Sequence, residues 1–265
     1  MSAPLLVLEQ AGVRLGRQDF GPFTLQVAAG EHIAILGPSG AGKSTLMKLL
    51  ARELAPVRGR VLLQGRALAD WPLQALSRRR AVLPQGHDVA FGLPVDLVVA
   101  LGRVALAHDP QQARIVEQAA ALARAQHLLG RRFDTLSGGE RARVQLARVF
   151  AQLWDEEEAL VMVDEPLAAL DPGLQLQLMD AMLGFARTRG HAVLAILHDV
   201  NQALRDFERL LLVQRGALAG DMAVDVAGGS GALAALERLY GVRFASAMTA
   251  DGECVTAAVR ALEPA

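Results

Sequence analysis

The chain has 265 residues, 52% hydrophobic and 21% charged, a balance that excludes a disordered chain and leaves room for a large buried core. Its formal charge of −1, without a long run of either sign, offers no bulk attraction to nucleic acid or anionic lipid, so no nucleic-acid partner is expected. The mean hydropathy of +0.27 is high, yet no uninterrupted apolar stretch approaches the ~20 residues of a membrane-spanning helix, and the surplus points to a surface covered by a partner. The single cysteine, Cys254, excludes a disulfide framework and a cysteine-based zinc site. Residues 1–8 lack the charged region and apolar run of a signal peptide, so a reducing, cytosolic setting is expected.

Residues 5–25 alternate short apolar pieces with glycine and polar residues, the pattern of a small antiparallel sheet ending at Ala29 and Gly30. Residues 32–36 form a short buried strand that runs into a glycine-rich turn at 37–43. In 44–54, Leu46, Leu49, Leu50 and Leu54 fall on one helical face. Residues 61–63 and 81–83 read as two more strands, and 113–129 and 140–153 carry helical period, marking a helical insertion. The runs 159–163 and 192–197 are wholly apolar, as in a parallel sheet buried on both faces. Ligands collect at the carboxyl ends of such strands, so the ends at Leu36, Val163 and Leu197 are expected to converge on one crevice. The tail, 210–259, reads as hairpins with a short helix around 233–240.

Gly37, Pro38, Ser39, Gly40, Ala41, Gly42, Lys43, Ser44 and Thr45 match the phosphate-binding loop G-x-x-x-x-G-K-[ST], with a strand before it and a helix after it. The glycines let successive backbone N–H groups aim inward, and the helix N-terminus adds partial positive charge. Lys43 is suited to reach the terminal phosphates of ATP and Ser44 to ligate Mg2+. Only two of the 27 basic residues are lysines, so the lysine at this turn marks a place that needs a compact ammonium. The apolar run Leu160, Val161, Met162, Val163 ends in Asp164 and Glu165. Beside a phosphate loop, Asp164 can hold the magnesium through water and Glu165 can act as general base toward the attacking water.

Ser137 opens the helix through Leu153 as an N-cap candidate, with Glu140 completing a capping box. The pentapeptide Leu136, Ser137, Gly138, Gly139, Glu140, beginning its polar part 94 positions after Lys43, also resembles the signature sequence of ABC-type ATPases. Gln85 matches that family's glutamine that touches magnesium and water, Ala168 to Asp171 resembles the loop after the catalytic strand, and His198 resembles the switch histidine facing the γ-phosphate. The resemblance implies an α/β fold: a P-loop NTPase (RecA-like) core with an N-terminal antiparallel β subdomain and an inserted α-helical subdomain. It implies one domain over 1–265, with core and β subdomain in 1–86 and 155–265 and the helical subdomain in 87–154. It also implies a head-to-tail homodimer in which Ser137, Gly138 and Gly139 of one chain close over the phosphates held by Lys43 of the other. The family usually stacks an aromatic on adenine about where Arg14 and Leu15 stand; here Arg14 lying flat, or Phe20 swinging in, are the candidates.

Residues 89–106 are rich in valine, leucine and alanine and include Leu101, Gly102 and Arg103. That triplet is similar to ATPases of the iron-siderophore, haem and cobalamin importers, and Ala151, Gln152, Leu153 and Trp154 look most like the haem-importing branch. The implied partners are two integral-membrane permease subunits and, indirectly, a substrate-binding protein, at the cytoplasmic face of the inner membrane. The alternatives are the same role for ferric siderophore or cobalamin, a soluble ABC-type ATPase without transport, and a nucleotide-gated module that does not hydrolyse. Leu136 follows Gln85 by 51 positions, too few for a long coiled-coil arm, and the presence of Glu165 and His198 argues for a competent hydrolase.

Overall fold

The structure, a computed structural model, describes residues 3–84, 92–165, 167, 170–224, 230–250 and 254–262. Its first half runs β1 (Leu6–Leu15), β2 (Gln18–Val27), β3 (His32–Leu36), α1 (Lys43–Leu50), β4 (Arg58–Leu63), β5 (Arg66–Ala67), α2 (Leu73–Ser77), β6 (Arg80–Leu83), α3 (Val95–Ala100), α4 (Gln112–Leu122) and α5 (Gly138–Leu153). There follow β7 (Leu160–Asp164), α6 (Pro172–Arg189), β8 (Ala192–Ile196), α7 (Val200–Asp206), β9 (Arg209–Gln214), β10 (Ala217–Ala223), α8 (Ser230–Tyr240), β11 (Val242–Met248) and β12 (Cys254–Ala261).

Three sheets result. An antiparallel sheet of order β2-β1-β4-β5 carries the N-terminal strands, a six-stranded sheet of order β10-β9-β3-β8-β7-β6 forms the centre, and β11 pairs with β12. In the central sheet β3, β6, β7, β8 and β9 are mutually parallel and β10 is antiparallel to β9. Strand side chains alternate between faces, so each central strand feeds two cores. Ile33 and Ile35 of β3, Leu160 and Met162 of β7, and Leu194 and Ile196 of β8 pack with Leu46 and Leu49 of α1 and Phe23 of β2. Ala34, Leu36, Val161, Val163, Val193 and Ala195 face the other way, against α5 and α6. Consistent with the fold class expected from the motifs, this is a mixed α/β chain with an antiparallel N-terminal sheet beside a predominantly parallel one.

Several expectations change in detail. The helix after the phosphate loop stops at Leu50, and Arg52 takes a left-handed φ of 59°, so Leu54 packs on the core from outside the helix. The helical run from 113 breaks after Leu122, because Arg124 turns left-handed (φ 52°) and the chain resumes as a short 3-10 turn. The run beginning at Arg209 is not a tail hairpin alone: β9 is a core strand parallel to β3, and only its second edge makes a hairpin with β10.

His32 and His191 are both fully buried, and burial pushes each imidazole down to about 4. The unfolded chain takes up those protons near pH 6.5 while the folded chain refuses them. Stability is therefore complete above pH 6.5 and falls as the pH drops toward 4, at about 1.4 kcal/mol per pH unit for each histidine. Urea titrations from pH 7 to 4.5 are expected to show this slope, reduced by about half in His32→Leu. An unchanged slope in that variant contradicts the assignment.

Candidate active site

Parallel pairing sets the strand ends level: Ile35 of β3 lies opposite Ile196 of β8, and Ile196 opposite Asp164 of β7. The chain leaves β3 into the loop 37–42, which turns through left-handed Gly40 (φ 74°) and Gly42 (φ 102°) before α1 starts at Lys43. A side chain is excluded at Gly37, where a Cβ would stand 2.2 Å from the Val213 carbonyl oxygen, and at Gly42, where it would stand 2.8 Å from the Phe20 ring. Lys43 is 7% exposed, and its ammonium donates to the carbonyls of Gly37 (2.7 Å) and Pro38 (3.0 Å). Burial lowers its pKa, and the nearby Glu165 and Asp164 charges pull it back up.

Asp164, the last residue of β7, is hydrogen-bonded by the Ser44 side chain. Burial pushes its carboxyl up and the neighbouring Glu165 charge adds to this, while the Ser44 bond and Lys43 act in the opposite direction. Glu165 takes a left-handed φ of 48°, a conformation that costs a non-glycine residue about 1 kcal/mol, and its N–H donates to the Ile196 carbonyl (3.2 Å). This twist brings its carboxylate onto the Nε2 of His198, two residues beyond β8, in a very short contact. Lys43, Ser44, Asp164, Glu165 and His198 thus meet at one sheet edge, in the crevice expected there. A cleft of about 460 Å3 continues from Glu165 and His198 between Leu167, Met179 and Asp199.

Gln85, Ala168 and Ala169 lie outside the described residues. Asp171 is the N-cap of α6, its carboxylate accepting from the Leu174 N–H at 3.0 Å, with Pro172 at the first helical position. Ser137 caps α5 in a complete box: its Oγ accepts from the Glu140 N–H (3.3 Å) and its own N–H donates to the Glu140 carboxylate (2.8 Å). Ser137 and Gly138 are exposed. The hydroxyl therefore serves its helix, and the exposed N-terminus of α5 is what a ligand would meet.

Arg14 pairs with Asp19 through both carboxylate oxygens (2.6 and 3.0 Å) and remains exposed, whereas Phe20 is buried beneath the phosphate loop. Of the two adenine candidates, Arg14 is the exposed one and Phe20 supports the phosphate loop from below. In the triplet 101–103, Gly102 lies so close to α5 that a Cβ would stand 2.4 Å from the Arg148 carbonyl. Arg103, 4% exposed, holds Asp109 (2.7 Å), Asp155 (2.7 Å) and the Ala151 carbonyl (3.2 Å). In the 151–154 run, Gln152 donates to the carbonyls of Ser77 and Arg80, and the Arg189 guanidinium lies over the Trp154 ring at 5.3 Å. Both motifs weld α5 to its surroundings.

Two side chains outside the motifs touch the site's supports. Tyr240 reaches Gly37 from 203 positions away, which nothing local signals; Asn201, three residues after His198, holds β12.

Residues 20–168 match the ABC transporter family. Over 217 residues, 80% of this chain and 84% of the relative, the sequence is 48% identical to the hemin import ATP-binding protein HmuV of Pseudomonas aeruginosa. It is 42% identical over 223 residues, 82% of this chain and 75% of the relative, to the protein of the same name from Nocardia farcinica. A metal-chelate type ABC transporter in an inward-facing conformation superposes with a TM-score of 0.78 over 97% of both chains at 22% identity. A dimeric ATP-binding cassette bound to ADP and Pi does so with a TM-score of 0.74, over 83% of this chain and 99% of that one, at 20% identity. At those identities the structural likeness carries the fold alone. The chain belongs to the ABC transporter family, as an ATP-binding subunit.

Proposed function

We propose that this chain is the ATP-hydrolysing subunit of an importer that takes up haem. The observation that carries hydrolysis is the meeting of Lys43, Ser44, Asp164, Glu165 and His198 at one sheet edge. Haem as cargo is supported by the 48% identity to a hemin import ATP-binding protein over four-fifths of the chain.

The loop 37–42 and the N-terminus of α1 offer backbone N–H groups to the phosphates, and Lys43 adds a point charge. The Ser44 hydroxyl hydrogen-bonded to the half-buried Asp164 carboxylate makes a pair of hard oxygen donors, the kind Mg2+ takes beside substrate phosphates. Ser44 would hold the ion, Asp164 would hold it through water, and Gln85 is the further ligand implied by the family resemblance; when bound, the ion would neutralise phosphate charge. Glu165 accepts a proton from water as the water oxygen bonds to the γ-phosphorus and the bond to the bridging β-phosphate oxygen breaks, leaving ADP and phosphate. His198, bonded to Glu165, orients that carboxylate and faces the γ-phosphate.

The exposed N-terminus of α5 with Ser137, Gly138 and Gly139 supports a head-to-tail pair in which it covers the nucleotide held by Lys43 of a second copy. Asp171 stands at the start of α6 near that closure, and Arg14 is the side chain left for adenine. In this reading 1–86 and 155–265 bind nucleotide and 87–154 carry the signature. The exposed Leu97, Leu101 and Val104 form an apolar patch on and after α3 that fits a permease. Two permease subunits, served by a substrate-binding protein, would hold the pair at the cytoplasmic face of the inner membrane; among the described residues no helix is long and apolar enough to cross it.

Glu165→Gln is expected to lower phosphate release by roughly 10²–10⁴ while ATP stays bound, and near-normal turnover removes Glu165 from its role. Lys43→Ala is expected to weaken ATP binding by roughly 10- to 100-fold in equilibrium titration, the worth of a charged hydrogen bond; unchanged affinity contradicts the loop assignment. Reconstituted in vesicles with a haem-importer permease, the chain is expected to drive ATP-dependent uptake of haem. Uptake of a ferric siderophore or cobalamin instead replaces the cargo, and failure to associate with any permease favours a soluble ATPase.

A further inference from the structure

The segment α8–β11–β12 is built as one piece. Glu237 of α8 accepts from the Phe244 N–H (2.9 Å) and pairs with Arg243 (3.0 Å), and the Leu262 N–H closes back on the Gly241 carbonyl (2.7 Å). Ser246 and Thr256 hydroxyls join the two strands at 3.0 Å.

This piece touches the nucleotide machinery at both ends. Tyr240, the only tyrosine of the chain, accepts a hydrogen bond from the Gly37 N–H at 3.2 Å, at the first residue of the phosphate loop. Gly37 is pressed from its other side by the Val213 carbonyl, and Gln214, next in β9, donates to the Leu239 carbonyl (3.3 Å). At the far end, Asn201 in the first turn of α7 grips Thr256 as a neighbouring strand would. Its Oδ1 accepts from the Thr256 N–H (2.7 Å) and its Nδ2 donates to the Thr256 carbonyl (3.0 Å). Asp199, between His198 and Asn201, accepts from the Asn201 N–H (2.8 Å) and so fixes the start of α7 against the switch. Thr256 turns both backbone groups away from β11, so Asn201 occupies the outer edge of β12 and ties it to α7.

We infer that the C-terminal segment is a brace for the catalytic edge, with Tyr240 positioning the phosphate loop and Asn201 positioning the switch histidine. The inference rests on the ATPase reading. The two ends predict different kinetic signatures. The phosphate loop grips ATP in the ground state, so its support is read in KM; the switch acts on the γ-phosphate in the transition state, so its support is read in kcat.

Steady-state ATPase of the full chain tests this, with thermal unfolding and the active fraction by nucleotide titration measured in parallel. Tyr240→Phe, which removes only the acceptor, is expected to raise KM for MgATP about 3- to 10-fold with kcat within twofold. Asn201→Ala is expected to lower kcat about 3- to 10-fold with KM within twofold. Asn201→Asp, which keeps the acceptor for the Thr256 N–H but sets a carboxylate against its carbonyl, falls between. The Asp variant carries the test if the Ala variant does not fold. Wild-type kcat and KM in both variants, or losses that track only the unfolded fraction, overturn the brace. A wild-type chain without ATPase overturns the ATPase reading instead.

Discussion

Parallel hydrogen bonding holds Ile35, Ile196 and Asp164 level across β3, β8 and β7, and from that register the phosphate loop, His198 and Glu165 all leave the sheet at one edge. A slip of one residue in any of these strands would displace its end by about 3.3 Å and turn its buried side chains to the opposite face. Ile33 and Ile35 would then exchange places with Ala34 and Leu36, mismatching two cores at once. The packing that selects the register is the same packing that sets the distance between the phosphate loop and the Glu165 carboxylate. This is why a left-handed glutamate is tolerated at Glu165: the Ile196 carbonyl and His198 hold it from the neighbouring strand.

Away from that sheet edge stands a rigid rod. Helix α5, 16 residues and about 24 Å long, carries the signature at its exposed N-terminus. At its other end the Arg103 guanidinium sits on the Ala151 carbonyl, where a cation is favoured by the helix dipole, and ties in Asp109 and Asp155. The exposed Leu97, Leu101 and Val104 adjoin that weld. Gly102 packs without a side chain against the Arg148 carbonyl, so the segment carrying this patch lies in close backbone contact with α5.

Much of this was legible where the residues themselves impose local geometry. His32–Leu36 is wholly apolar apart from a histidine, the glycines after it permit the loop, and Ser137 with Glu140 announces the start of α5. The meeting of Asp164, Glu165 and His198 is legible because each stands at or just past the end of an apolar run. Other features depend on partners far along the chain. Helix α6 went unread although Asp171, Pro172 and the left-handed Gly190 bracket it, because its apolar residues do not form a sharp stripe. The place of β9 beside β3 is a non-local choice among similar apolar runs, and Tyr240 on Gly37 leaves no local trace. The seat of Phe20 beneath Gly42 likewise shows only in the folded hairpin.

The central claim is that one chain holds half of the nucleotide site at its sheet edge and presents the other half, on α5, to a second copy. The most direct measurement is analytical sedimentation of the Glu165→Gln chain with and without MgATP, together with Ser137→Arg in the same background. The account predicts a doubling of mass with ATP that vanishes on the second substitution although ATP still binds. A Glu165→Gln chain that keeps the mass of a single copy with MgATP bound contradicts it.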